Sequence, residues 1–161
     1  MKVQDVMMRT PVFCSPETNL GAAVEILWNR NCGILPLVDA EQKVVGVVTD
    51  RDLCVALGTR NLPPGEINAR DVAKGNVYSC GPDDDIHAAL ETMAKQKVRR
   101  LVVLNKQGAL EGILSLDDVV LHAEAGSAGR TAELSAAEIV DTERRVYGPQ
   151  LPQLVTHATA V

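Results

Sequence analysis

Two pairs of side chains in this 161-residue chain have the types and spacing to hold a ribose phosphate. Thr49 stands three positions before Asp52, directly after the apolar run Gly46-Val47-Val48, and Ser115 stands three before Asp118, after Gly112-Ile113-Leu114. Each pair sits where a strand should run into a helix, and the unpaired amides and dipole of a helix start favour an anion. A hydroxyl there can face a phosphate. A first-turn carboxylate would repel one, but it suits two neutral ribose hydroxyls through charge-assisted hydrogen bonds, as in dinucleotide folds. The same spacing also describes a plain helix cap with favourable first-turn charges, and both readings stand at this point. Arg51 goes against the dipole of its helix, for which a phosphate or a neighbouring acid would be a reason.

Other chemistry has less to stand on. The three histidines, His87, His122 and His157, have no repeat-matched nucleophile or carboxylate around them. Cys14, Cys32, Cys54 and Cys80 form no Cys-x-x-Cys pair and read as reduced, core or half-buried thiols of a cytoplasmic protein. Asp50-Arg51-Asp52 is not a calcium loop, and Asp83-Asp84-Asp85 is adequately explained as helix-capping acid. No enzyme and no metal site are expected.

The elements that must position Thr49 and Asp52 occur twice. Sliding the chain by 66 positions brings Asp5-Val6 onto Asp71-Val72, Cys14 onto Cys80 and Leu20 onto Ile86. It brings Gly46-Val47-Val48-Thr49 onto Gly112-Ile113-Leu114-Ser115 without a gap. Each copy reads strand, helix, strand, strand, helix. The short segments 11–14 and 77–80 are extended, and Pro16 and Pro82 mark turns. Thr18 and Asp84 or Asp85 are candidate N-caps. The first helix places Leu20, Ala23, Val24, Leu27 and Trp28 on one stripe, and its counterpart Ile86, Ala89, Leu90 and Met93. Strands follow at Leu35–Asp39 and Val44–Thr49, then a helix at Asp50–Leu57; copy two repeats them at Leu101–Asn105, Leu110–Ser115 and Leu116–Ala123.

The fold class is therefore α/β (α+β), two βαββα units packed with pseudo-two-fold symmetry and a groove where they meet. The units span 3–60 and 71–124, with 61–70 an irregular surface linker and 125–161 a C-terminal extension. In the extension, Ser135 and Glu138 suggest a capping box opening a helix through about Arg144; the rest reads as a peripheral appendage suited to docking on a partner subunit.

Composition narrows the partners. Aromatics are 2% of the chain and the net charge is −5, which argues against stacking platforms and basic stripes for nucleic acid. No run of about 18 apolar residues suggests a membrane span, and the start lacks the apolar core of a secretory signal. Arg99 and Arg100 precede the strand Leu101–Leu104, whereas copy one has Gly33 and Ile34 there, so the copies differ in charge. A polyphosphate would favour the site served by Arg100.

Over about residues 3–124 the chain resembles a tandem CBS-domain protein, or Bateman module. The resemblance rests on Asp5-Val6-Met7-Met8-Arg9-Thr10-Pro11, on Asp71-Val72-Ala73, and above all on Val44-Val45-Gly46-Val47-Val48-Thr49-Asp50-Arg51-Asp52-Leu53. It implies that Thr49 and Asp52, and Ser115 and Asp118, bind nucleotide phosphate and ribose. It places the base against Thr10 to Val12 and Asn76 to Tyr78, and against Ile34 to Pro36 and Arg100 to Val102. The family's phosphate-facing Arg is matched by Arg100 but replaced by Ile34, and its strand Pro is matched by Pro36 but replaced by Val102. One dominant site, or two of different affinity, is expected, with copy two the better phosphate candidate.

The implied ligands are AMP, ADP, ATP or S-adenosylmethionine, with Mg riding on bound phosphates. The implied assembly is a homodimer that passes its state to an unknown effector protein. The alternative is a structural or protein-interaction module with no nucleotide ligand.

Overall fold

The structure, a computed structural model, describes residues 1–73, 76–123 and 134–148. Copy one contributes α2 (Leu20–Arg30), β2 (Ile34–Val38), β3 (Val44–Thr49) and α3 (Asp50–Thr59), preceded by α1 (Val3–Val6) and β1 (Met8–Arg9). Copy two contributes β4 (Ser79–Cys80), α4 (Ile86–Gln96), β5 (Arg100–Leu104), β6 (Leu110–Ser115) and α5 (Leu116–His122). A last helix, α6, spans Ala136–Tyr147. β2 and β3 form an antiparallel hairpin, and β5 and β6 form its counterpart within a four-stranded sheet of order β1-β6-β5-β4. The turns of the two hairpins meet at the bridge between Lys43 and Ala109, residues that are themselves 66 apart.

The two copies exchange their leading segments. Val3, Val6 and Met7 are buried in the core of copy two with Ile86, Met93, Leu101 and Leu114. Their repeat counterparts begin a 3-10 turn, Ala69–Asp71, where Ala69 joins Ile67 in the core of copy one beside Leu20, Leu35 and Leu53. The hydrogen bonds repeat as well. Leu20 N–H donates to the Ile67 carbonyl at 2.9 Å, and Ile86 N–H donates to the Met1 carbonyl at 3.1 Å. Gly46 and Gly112 make room for these segments. A Cβ on Gly112 would stand 2.7 Å from Met7 Sδ and 2.8 Å from the Met8 carbonyl oxygen, and one on Gly46 would stand 3.2 Å from Ala73 Cβ.

Several expectations change at this level. Residues 61–70 are more than an irregular surface link, because Ile67 and Ala69 supply core side chains. The cap of α2 lies one residue after the expected one: Asn19 Oδ1, not Thr18, accepts the Ala22 N–H at 3.0 Å. In copy two Asp85 is the cap, accepting from His87 N–H. The buried stripe of α2 is only Leu20, Ala23 and Leu27. Trp28 is 83% exposed and Val24 38%, since each lies about 100° further round the helix than its buried neighbour. Of the expected segment 11–14, only Cys14 bridges a strand, at Leu37. In segment 77–80, pairing is confined to Ser79 and Cys80, parallel to β5.

The Ser135–Glu138 capping box is present, with Ser135 N–H donating to Glu138 Oε2 at 2.9 Å. The helix it opens is not peripheral. Ile139 and Val146 are buried in the second core together with Leu134. Arg145 binds Glu91 of α4 through two hydrogen bonds of 2.7 Å. The stretch 149–161, including His157, lies outside the described residues.

Candidate functional site

β3 delivers Thr49 to the start of α3, and the local sequence then fixes Asp52. Thr49 N–H and Oγ1–H both donate to Asp52 Oδ2, at 3.0 and 2.7 Å, and Asp52 N–H returns to Thr49 Oγ1 at 3.3 Å. This is a reciprocal capping box. Ser115 and Asp118 form the same box at α5. The cap reading of both pairs is thus realised. It does not exclude a ligand, because a carboxylate offers about four acceptor positions.

What separates the copies is where these boxes open. Thr49, Asp50, Arg51 and Asp52 line a cleft of about 670 Å³ between the two copies. Copy one also contributes Gly33, Ile34 and Val47 to it; copy two contributes Asn76, Tyr78, Lys97, Val98, Arg99, Arg100 and Val102. Of the residues expected in a site, Thr49, Arg51, Asp52, Ile34, Asn76, Tyr78, Arg100 and Val102 come together here. Thr10, Val12, Pro36, Ser115 and Asp118 are not part of this lining. Thr10 is exposed and held in the left-handed region at φ 55°, a costly conformation for a β-branched residue.

Arg100 therefore does not divide the copies as expected from sequence. Its Cα lies opposite Ser115 in the β5–β6 ladder. Its guanidinium, however, reaches across to copy one, where a Cβ on Gly33 would come within 3.3 Å of it. The side chain is about a quarter exposed and lies 3.9 Å from the exposed carboxylate of Asp117. Thr49 and Arg100, assigned by sequence to different copies, share one cleft because the pseudo-two-fold packing brings the first residues of β2 and β5 face to face.

The cleft has an electrostatic sign. Arg51, Lys97, Arg99 and Arg100 line it against Asp50 and Asp52. Between low-dielectric walls such an excess concentrates anions. One flank is apolar, with Ile34, Val47, Val98 and Val102, and Tyr78 adds an aromatic ring. Of the lining residues, the sequence-based site did not include Gly33, Val47, Asp50, Lys97, Val98, Arg99, Val146 or Tyr147. Lys97 ends α4 in the left-handed region at φ 56°, a position the repeat marks through Asn31. Val146 and Tyr147 have no counterpart in either copy, so the repeat gave no signal for them.

Other reactive groups lie apart. Burial, with Asp84 adding to it, pushes the Cys80 thiol up to about 12. Burial also raises the Cys14 thiol. His87 bridges Asp85 at 2.9 Å and Glu138 at 3.4 Å, where it ties α4 to α6. Among the described residues no group of three or more His, Cys, Asp or Glu is placed to hold a metal ion, and no helix is long and apolar enough to cross a membrane.

Comparison with known proteins agrees with this architecture. The family model for the CBS domain matches residues 3–59 and again 69–124. The chain belongs to the CBS-domain family. The second match opens at Ala69, the start of the 3-10 turn exchanged into copy one. Among curated relatives, Bacillus subtilis YlbB is 32% identical over 132 residues, covering 79% of this chain and 88% of the relative. Inosine-5'-monophosphate dehydrogenase of Methanocaldococcus jannaschii is 27% identical over 129 residues, covering 80% of this chain. The chain spans only 25% of that dehydrogenase. Among solved structures, a CBS domain protein from Pyrobaculum aerophilum complexed with AMP is 26% identical, with a TM-score of 0.67. That match covers 74% of this chain and 90% of the other.

Proposed function

We propose that the cleft between the repeats binds an adenosine nucleotide, AMP first among candidates, and that the module reports its occupancy to another protein. One observation carries this reading: four cationic side chains, a capped helix start and an apolar flank converge on one cleft large enough for a nucleotide. Arg100, Arg51 and the α3 amides take the phosphate, Asp52 takes ribose hydroxyls, and the base lies among Ile34, Val102 and Tyr78. The AMP bound by the Pyrobaculum relative supports the same ligand class. ADP and ATP fit the sign of the cleft, with Mg accompanying their phosphates. S-adenosylmethionine, whose sulfonium is cationic, meets like charge.

Occupancy becomes a signal only if the nucleotide has different affinities for two arrangements of the molecule. A homodimer in the cytoplasm is the proposed setting, and the exposed Trp28, Leu121, Val55 and Val120 supply apolar surface for association. Isothermal titration with AMP, ADP, ATP and S-adenosylmethionine tests the ligand. Saturable heat with at least one adenine nucleotide is expected, and its absence for all of them at millimolar concentration ends the proposal.

A further inference from the structure

The chain has four aromatic residues, and both of its tyrosines line the same cleft. Tyr78 belongs to copy two, as the family match defines it. Tyr147 does not. It is the last residue of α6, outside both matched segments.

Its position is firmly determined. Val146, the residue before it, is 4% exposed in the second core. Arg145, one further back, is fastened to Glu91. With both anchors set, Tyr147 is directed to the rim, where it is 58% exposed and its ring centroid lies 5.9 Å from Arg99 Cζ. Gly148 is the C-cap of the helix, where a Cβ would stand 2.8 Å from the Arg144 carbonyl oxygen. The ring is thus presented by a packed helix and flanked by a guanidinium, an arrangement that adds a cation–π contact to any stacking on the ring. An exposed tyrosine has no need of that placement for stability. A planar heterocycle entering the cleft would bury its open face.

We infer that Tyr147 is a ligand-binding residue that stacks on the purine base, so that α6 forms a wall of the nucleotide cleft and is ordered further when the cleft is filled. The inference rests on the nucleotide reading and names the group that selects a base over a bare sugar phosphate. Aromatic rings gain from stacking on a base whatever its identity, so Tyr147 favours purines by ring area rather than by hydrogen-bond pattern.

Isothermal titration of the full chain with AMP, for wild type and for Tyr147→Ala, Tyr147→Leu and Tyr147→Phe, tests it. The expected result is about a tenfold loss of affinity in Tyr147→Ala, a comparable loss in Tyr147→Leu, and affinity within about threefold of wild type in Tyr147→Phe. Hydrogen exchange should show Ala136–Tyr147 more protected with AMP in wild type and unchanged in Tyr147→Ala. Full affinity in Tyr147→Leu would mean the ring acts only as apolar bulk and overturns the inference. So would wild-type affinity in Tyr147→Ala. A wild type that binds no adenine nucleotide overturns the nucleotide reading itself, and the inference with it.

Discussion

At the residue scale, the two capping boxes differ in that one opens into the proposed nucleotide cleft and the other does not. Asp118→Ala removes the carboxylate half of the α5 capping box, leaving Ser115 as the N-cap, and should lower unfolding free energy by about 1 kcal/mol or less, leaving AMP affinity within about twofold. Asp52→Ala should cost a similar amount of stability and also weaken AMP by about tenfold or more, the scale of a lost charge-assisted bond. Urea melts paired with titration calorimetry read both, and equal loss of AMP in the two variants would refute the assignment. The Thr-x-x-Asp spacing was legible in the sequence, and so was its ambiguity, since cap and ligand site need the same residue types. Only the position of each box relative to the groove resolves that.

Cys80 yields a second residue-scale prediction. Its thiol titrates near 9.0 in the unfolded chain and is pushed up to about 12 when folded, chiefly by burial. Between those values the unfolded chain gives up the proton first. The contribution of Cys80 to stability is therefore intact below pH 9 and falls as pH rises toward about 12. Wild type should lose more urea resistance between about pH 8 and about pH 10.5 than Cys80→Val does. Parallel losses would show that this thiol does not ionise with unfolding.

At the element scale, the exchange of leading segments makes two glycines indispensable to different degrees. Gly112→Ala drives a methyl into Met7 Sδ and the Met8 backbone. Overpacking against backbone of this kind should destabilise by about 1–3 kcal/mol. Gly46→Ala meets only Ala73 Cβ, at 3.2 Å, and should cost less. Gly65→Ala meets nothing within 4 Å and should be neutral or stabilising by up to about 1 kcal/mol. Thermal melts in that rank order support the exchange, and a harmless Gly112→Ala contradicts it.

The repeat made the order of these elements readable, but it gave no sign that Val3, Val6 and Met7 are buried. Periodicity reports that a side chain is covered, not by which copy. The exchange was therefore invisible in sequence, as was the core role of Ile67 within a segment rich in turn residues. Trp28 misled for the opposite reason: its size and its place beside Leu27 suggested a wider stripe than α2 buries.

At the scale of the whole molecule, pseudo-symmetry predicts two clefts while charge favours one. The counterpart of Arg51 is Asp117, and the counterpart of Arg100 is Ile34. A phosphate at the Ser115–Asp118 box would thus meet an acid where the Thr49–Asp52 box offers a guanidinium. Arg100 itself stands between the two, its guanidinium beside Gly33 in the cleft and 3.9 Å from Asp117. The sequence displayed this imbalance and assigned Arg100 to copy two; that its guanidinium also lines the cleft with Thr49 was not legible, because its reach across the pseudo-two-fold axis depends on how the copies dock. Titration should therefore give about one AMP per chain. Arg100→Ala should weaken binding by about tenfold or more, the cost of losing a charged phosphate contact. Asp117→Asn, which removes the only acid paired with Arg100 among the described residues, should tighten binding by about twofold, since exposed pairs contribute little. Added salt should erase the Asp117→Asn gain before it erases binding, because the exposed carboxylate is screened more effectively than the recessed guanidinium. Two equivalent sites per chain, or an Arg100→Ala variant with wild-type affinity, would return the molecule to the symmetry of its sequence.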